Sequence, residues 1–398
     1  MFKADESGLR SWCEIDGWAL HKNIQTLRAG LANGARLGIV VKSDAYGHGL
    51  LLCAREFLSA GADWLVVHSL VEGEKLRRGG IEAPIYMCTQ PAVCEADRVV
   101  EADLRVALCD IDVARALNEA ARGQNRKVSC HIKLETGTHR QGIADEQLLD
   151  MARWVCAAEA LELEGLTTHF ADIEDTTDHA FAEGQMAQLN AAIDRLHRAG
   201  IVVTMRHAAN SAAALLWPKT HGDLVRVGIG AYGLWPSKET YAVALQRGGQ
   251  VPELYPILSW KARIAQIKDV PEGGFIGYGR TFRATYPMRI GIITLGYYEG
   301  YDRRLSNVGH VLVDGVRAPV RGRVCMNMFM VDLTHIPEAK PGAIATLLGR
   351  GGDEEVSAEM WGSWMGSIHY EAISRIHPEQ VRLLRDAAGE LYSLEEGI

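Results

Sequence analysis

Between residues 37 and 232 eight short apolar runs, rich in β-branched side chains, alternate with longer segments of helical pattern. That alternation confines the chain to architectures built on a parallel sheet. The runs span 37–43, 64–69, 84–89, 105–110, 129–135, 163–170, 202–208 and 224–232. Amphipathic stretches at 110–122, 145–159 and 181–199 lie between them, and in the last Met186, Leu189, Ile193 and Leu196 recur at helical spacing. Eight strand–helix units is the number that closes a (β/α)8 barrel of the TIM type. A doubly wound open sheet satisfies the same pattern, and both architectures place ligands at the carboxyl ends of their strands.

Past residue 245 the texture changes to short apolar runs punctuated by Gly, Pro and Asp, at 257–267, 289–295, 309–313, 317–321, 328–332 and 344–348. Val313-Asp314-Gly315-Val316 carries the Asp-Gly hairpin signal. The fold class is therefore α/β: a barrel over residues 1–245 followed by a mainly-β domain over 246–398, with the boundary in the polar stretch 237–256 that contains Gly248 and Gly249. At 398 residues the chain is long enough for two domains, each with its own core.

A net charge of −8 with no long basic run argues against nucleic acid as a partner. No apolar run reaches the length of a membrane span, and the acidic N-terminus lacks the apolar core of a secretory signal. The eight cysteines form no C-x-x-C pair and no zinc pattern, so no metal is expected. They read as small hydrophobes in a reducing compartment, and the expected location is cytoplasmic.

The strand ends carry the chemistry. The first run ends in Lys42-Ser43-Asp44-Ala45-Tyr46-Gly47-His48-Gly49. A lysine on a buried strand end is costly unless it is paired, with Asp44 for instance, or used as an imine-forming nucleophile or base. The other strand ends bring Lys133 and Arg140, His169, Asn210 and Ser211, then Arg226 with Gly228 and Ile229. So many cations around one mouth suit an anionic cofactor, most simply a phosphate. Taken singly, each has a plainer reading. His169 is a hydrogen-bonded core histidine, Ser211 caps a helix over 212–217, and the glycines serve a turn. A helix start at Ser211 is equally a phosphate cradle. In the second domain Tyr278 stands between two glycines, which reads either as a bulge with an exposed aromatic or as a close backbone approach.

Together these segments resemble the alanine racemases, fold-type III enzymes that use pyridoxal 5′-phosphate. The resemblance rests on Val41-Lys42-Ser-Asp-Ala-Tyr46-Gly-His-Gly, His131-Ile-Lys133-Leu-Glu-Thr-Gly-Thr-His-Arg140-Gln-Gly, Thr168-His169-Phe-Ala, His207-Ala-Ala-Asn210-Ser211, Val225-Arg226-Val-Gly228-Ile229-Gly, Tyr278-Gly-Arg-Thr-Phe, Gly322-Arg323-Val-Cys-Met326 and Ile368-His-Tyr370-Glu371. It implies that L- and D-alanine are interconverted through the external aldimine of pyridoxal phosphate by two bases. Lys42 would hold the cofactor as an imine and act on one face, and Tyr278 of the partner subunit would act on the other, in a head-to-tail homodimer. Arg226 would donate to the pyridine nitrogen and His169 would tune Arg226 and Tyr278. Tyr46, Ser211, Gly228, Ile229 and Tyr370 would hold the phosphate, and Arg140 with the Met326 N–H the substrate carboxylate. Lys133 matches a lysine that is often carbamylated. The resemblance also implies that the product, D-alanine, serves as a peptidoglycan precursor. Tyr298, Glu299 and Asn327 depart from the family's usual Ala, Asp and Asp near the entrance and bear on substrate breadth. A broad-specificity racemase acting on serine, lysine or arginine is therefore the alternative. A fold-III decarboxylase, which uses an acid where Arg226 stands, is a weaker one.

Overall fold

The computed structural model describes residues 1–32, 34–248 and 251–394. Gly249, in the expected boundary, lies outside the described residues. The chain divides into two compact units, one of Ala19–Ser43 and Cys53–Tyr255, the other of Met1–Trp18, Asp44–Leu52 and Pro256–Ile398.

The first unit is the barrel. Its strands, in order, are Arg36–Val40, Trp64–Val67, Ile85–Met87, Arg105–Leu108, Val128–Lys133, Leu161–Thr167, Met205–His207 and Leu224–Val227, and each pairs in parallel with the next up to the seventh. The eighth strand pairs in parallel with the first, which excludes the doubly wound sheet. The remaining gap is spanned by the Asp223 N–H on the Arg206 carbonyl and the Arg226 N–H on the Ala209 carbonyl.

Strands run shorter than the apolar runs that announced them. Leu224–Val227 stops at Gly228 and the run continues as the 3₁₀ turn Ile229–Tyr232. Helix starts follow capping chemistry: the Asp110 carboxylate accepts the N–H groups of Asp112 and Val113 at the head of Ile111–Gly123. In Ala180–Arg198 the buried stripe is Ala182, Gln185, Leu189, Ala192 and Leu196; Met186 and Ile193 fall at its half-buried edge. A buried glutamine displaced the expected apolar face because its amide is fully used, as described below.

The second unit is an eleven-stranded, mainly antiparallel sheet with a separate two-stranded ribbon. The sequence reading placed residues 1–245 in the barrel. Ser11–Asp16 instead pairs with Leu258–Val270 and Val381–Arg385, so the start of the chain is built into this sheet. The Asp-Gly hairpin forms as expected, with Val313 opposite Val316. The core is aromatic. Tyr301 stacks on Phe329 at 4.2 Å, Trp361 meets Tyr301 edge-on at 5.3 Å and Trp260 at 5.8 Å, and the Trp361 indole N–H donates to the Leu347 carbonyl at 3.1 Å. Among the described residues no helix is long and apolar enough to cross a membrane.

Trp361→Ala should cost about 3–5 kcal/mol in the unfolding of this unit, read from denaturant melts followed by tryptophan fluorescence. A loss below about 1 kcal/mol would show that the ring is not central to the core.

Candidate active site

Every sequence-predicted residue of the barrel unit falls at or just past the carboxyl end of a strand, the end where barrel enzymes carry their chemistry. Lys42 follows the first strand and is half-buried. The Asp44 carboxylate accepts the Leu50 N–H at 2.9 Å and lies 3.4 Å from the Arg382 guanidinium. Lys42 lies close enough to His68, Cys88 and His169 to influence their protonation.

The turn after Lys42 is conformationally unusual. Ser43, Asp44, Ala45 and Tyr46 have φ of 56, 54, 54 and 53°, a single turn of left-handed helix built without glycine. Such backbone costs roughly 1–2 kcal/mol per residue, so it persists only where its surroundings determine it. On the barrel side the Ser43 N–H donates to Glu72 at 2.6 Å. The same Glu72 carboxylate accepts the N–H groups of His68 and Ser69, closing the capping box of helix Leu70–Arg78. In the second unit the Gly49 N–H donates to the Asp44 carbonyl and Arg382 donates to the Gly47 carbonyl, both at 2.9 Å.

Arg226 is buried, and its hydrogen-bond partners are neutral. One terminal nitrogen donates to His207 Nδ1 at 2.5 Å and lies 3.4 Å from the Thr167 hydroxyl. The other donates to the carbonyls of Thr168 and Ala208 at 3.0 and 3.1 Å and stands 3.5 Å from His169 Nδ1. Burial, and then the adjacent guanidinium, hold His207 and His169 well below the ordinary imidazole range. Both rings are therefore neutral acceptors beside a cation.

Ser211 is not the cap of its helix. Asn210 is, accepting the Ala213 N–H at 3.1 Å, which frees the Ser211 hydroxyl to accept the N–H groups of Gly228 and Gly230 at 2.9 and 3.3 Å. Ser211, Gly228 and Ile229 are thus brought together. Lys133, Arg140 and His169 line one cleft; the Lys133 amine donates to Gln141 at 3.3 Å, and burial followed by the charge of Arg226 lowers its proton affinity.

The second unit holds the other predicted residues. Tyr278 stands 74% exposed at the tip of the ribbon Phe275–Ile276/Phe282–Arg283. Its flanking glycines are needed: both have positive φ, and a Cβ on Gly279 would lie 2.7 Å from the Arg323 guanidinium. Tyr46 and Tyr370 pair with ring centroids 6.1 Å apart. Met326 is exposed on a loop whose neighbour, Asn327, donates its amide to Glu299 at 2.7 Å. Glu299 also accepts the Gly296 N–H at 2.6 Å, and Tyr298 stacks on His377 at 4.9 Å.

Sequence reasoning missed several residues. Glu72 was legible as the end of a Ser-x-x-Glu capping box. Gln185 donates to the His169 carbonyl at 3.1 Å and accepts the Ala171 N–H at 3.0 Å, bracing the His169 loop, and no local pattern marks it. Burial opposes ionisation of Cys88, yet His68, Lys42, Lys133 and Arg226 together hold it below the ordinary thiol range. Its apolar setting in sequence made it look like core.

A barrel with a half-buried lysine at the end of its first strand and further cations at neighbouring strand ends has the layout of an enzyme that works at its barrel mouth. The comparisons carry this further. Residues 15–236 match the alanine racemase N-terminal domain model and 257–384 the C-terminal one. An alanine racemase of Syntrophobacter fumaroxidans is 41% identical over 361 residues, covering 91% of this chain and 94% of its own. The crystal structure of a Bacillus anthracis alanine racemase with bound L-Ala-P superposes with a TM-score of 0.89 at 31% identity, covering 96% of this chain and 97% of its own. One from Bartonella henselae with covalently bound pyridoxal phosphate shares the fold, with a TM-score of 0.79 at 23% identity, covering 94% of this chain and 99% of its own. The chain belongs to the alanine racemase family.

Two measurements probe this geometry. Ser43→Gly should raise stability by about 0.5–1 kcal/mol, because relief of the left-handed strain exceeds glycine's entropic cost; a loss of that size in thermal melts would contradict the left-handed turn. His131, His169 and His207 stay neutral in the folded chain but charge in the unfolded one below about pH 6.5. The unfolded state then binds more protons, so stability is full above that pH and is lost as pH falls. The urea midpoint should drop between about pH 7.5 and 5, and a flat profile would mean that these rings are not buried neutral.

Proposed function

We propose that this chain racemises alanine with pyridoxal 5′-phosphate, with Lys42 and Tyr278 as its two bases. The observation that carries this is the barrel mouth itself, where a strand-end amine, a hydroxyl–amide cradle and a buried guanidinium with neutral partners converge. The donor set fits the cofactor. Lys42 would bond its carbonyl carbon. Ser211, Gly228 and Ile229, with Tyr46 and Tyr370, would hold its phosphate, and Arg226 its ring nitrogen. When bound, the cofactor supplies an electron sink for the substrate α-carbon.

The chain's own residues do the rest. Racemisation requires a proton to leave one face and return to the other, which two bases on opposite faces accomplish without reorienting the substrate. Lys42 takes or gives the proton on one face and the Tyr278 phenol on the other. Arg226 is a permanent cation that donates only, so it keeps a proton off the ring nitrogen. His169, neutral and 3.5 Å from Arg226, tunes that guanidinium and the Tyr278 proton. Arg140 and the Met326 N–H receive the substrate carboxylate. The lowered proton affinity of Lys133 favours a free amine; a carbamate formed there from carbon dioxide would be the anion that orients Arg140.

The exposure of Tyr278 at a ribbon tip supports a head-to-tail homodimer in which it reaches the partner's site. We place the reaction in the cytoplasm, with D-alanine leaving for peptidoglycan precursors. The alternative of a broad-specificity racemase is favoured by one feature, the Glu299–Asn327 pair and Tyr298 at positions where the family differs.

Purified protein should absorb near the visible edge and interconvert the alanine enantiomers faster than those of serine, lysine or arginine. Lys42→Ala should abolish both properties, whereas Tyr278→Phe should keep the absorbance and slow racemisation by about 10²–10⁴-fold. A higher kcat/KM on serine, lysine or arginine would replace alanine by the broad-specificity reading. A colourless protein inactive on all four would refute both.

A further inference from the structure

Five consecutive barrel strands each contribute one side chain to a chain of hydrogen bonds through the barrel interior. Arg226 on the eighth strand donates to His207 Nδ1 on the seventh at 2.5 Å. His207 Nε2 meets His131 Nδ1 on the fifth at 2.8 Å, and His131 Nε2 meets Glu164 on the sixth at 2.9 Å. Arg105 on the fourth strand closes the chain, 3.0 Å from the same Glu164 oxygen. His131 and His207 are fully buried. Tyr86 packs against them at 4.8 and 5.3 Å, and Trp64 meets His131 at 6.1 Å and carries the Arg105 guanidinium over its ring at 4.7 Å.

Two backbone devices serve this chain. The pairing of the fifth and sixth strands slips between Cys130 and His131, so that Glu164 is an extra residue opposite that step. Bulges of this kind re-aim a side chain. The next residue is Gly165, where a Cβ would lie 2.3 Å from His131 Nδ1. The sixth strand thus spends a bulge and a glycine on seating one imidazole against one carboxylate.

The proton count runs in one direction. Burial works against the Glu164 charge, but the His131 N–H and Arg105 hold the carboxyl below its usual range, so it only accepts. His131 Nε2 must then carry the hydrogen, and burial keeps the ring neutral, which leaves a lone pair on Nδ1. His207 must donate from Nε2 into that lone pair, so its own Nδ1 is bare where Arg226 arrives. The reverse tautomer would turn an N–H against the guanidinium at 2.5 Å.

We propose that Glu164 is a positioning residue: through His131 it fixes the tautomer of His207 and so holds the Arg226 guanidinium in one orientation at the barrel mouth. Its catalytic consequence rests on the reading that Arg226 faces the cofactor ring, whereas the tautomer assignment does not.

The test uses full-length protein labelled with ¹⁵N-histidine, with and without added pyridoxal phosphate. In the wild type, the Nδ1 atoms of His131 and His207 should both resonate as unprotonated nitrogens and both Nε2 atoms as protonated ones. Glu164→Leu removes the acceptor and should let both rings populate the opposite tautomer as the Arg226 guanidinium turns away from His207 Nδ1. Glu164→Gln keeps one acceptor oxygen and should restore the wild-type pattern. Glu164→Leu should lower kcat for alanine by about 10–100-fold with little change in KM, and Glu164→Gln should recover most of it. A protonated Nδ1 on His207 in the wild type would overturn the proposal even if no variant folds, as would wild-type tautomers in Glu164→Leu. Wild-type protein with the stated tautomers but no racemase activity would instead refute the racemase reading and leave the positioning role standing.

Discussion

A guanidinium buried with no carboxylate partner among the described residues sets the terms for the barrel. Placing a charge in such a setting is costly unless every donor finds an acceptor. Arg226 offsets much of that cost with two backbone carbonyls, the bare nitrogen of a neutral imidazole and, at 3.4 Å, the Thr167 hydroxyl. The imidazole must then be kept neutral and in one tautomer, which draws in His131 and, behind it, Glu164 and Arg105. A carboxylate placed directly on Arg226 would have been a simpler partner. It would also have neutralised the one cation that, in the proposed reaction, faces the cofactor's ring nitrogen. The relay leaves the positive charge at the mouth, while the carboxylate at its far end is paired with Arg105.

The second constraint is the left-handed turn. Four residues with φ near 55° are held by Glu72 at one end and by hydrogen bonds within the β unit at the other. The strain is local, and Lys42 and Tyr46, both proposed to hold the cofactor, flank or belong to this turn. Backbone of this kind is rigid because its alternatives are blocked, and rigidity is useful where an amine must stay aligned with one face of a substrate. Tyr278 is presented by the opposite means, on a short two-stranded ribbon whose glycines let Arg323 approach closely.

Much of this was legible in the sequence, for reasons that differ from residue to residue. The strand–helix alternation gave away the barrel because a buried parallel strand needs an unbroken apolar run. Lys42, Lys133 and Arg226 stood out because charge is rare at the end of such a run. Ser11–Asp16 was misassigned because strand pairing across more than two hundred residues leaves no local trace. Ser211 was half understood: its place at a helix start was visible, but the capping role belongs to Asn210, and only the fold brings the hydroxyl to Gly228 and Gly230. Glu164 was invisible because its inward direction depends on a bulge, which the alternation pattern of a strand does not encode.

The central claim is that two bases from different parts of the chain serve opposite faces of one α-carbon. Deuterium exchange of the alanine α-proton in D₂O, followed separately for each enantiomer with the Tyr278→Phe variant, tests it most directly. The account predicts asymmetry: the enantiomer that presents its proton to Lys42 continues to exchange, while exchange of the other collapses. Equal exchange of both enantiomers at the wild-type rate would contradict it.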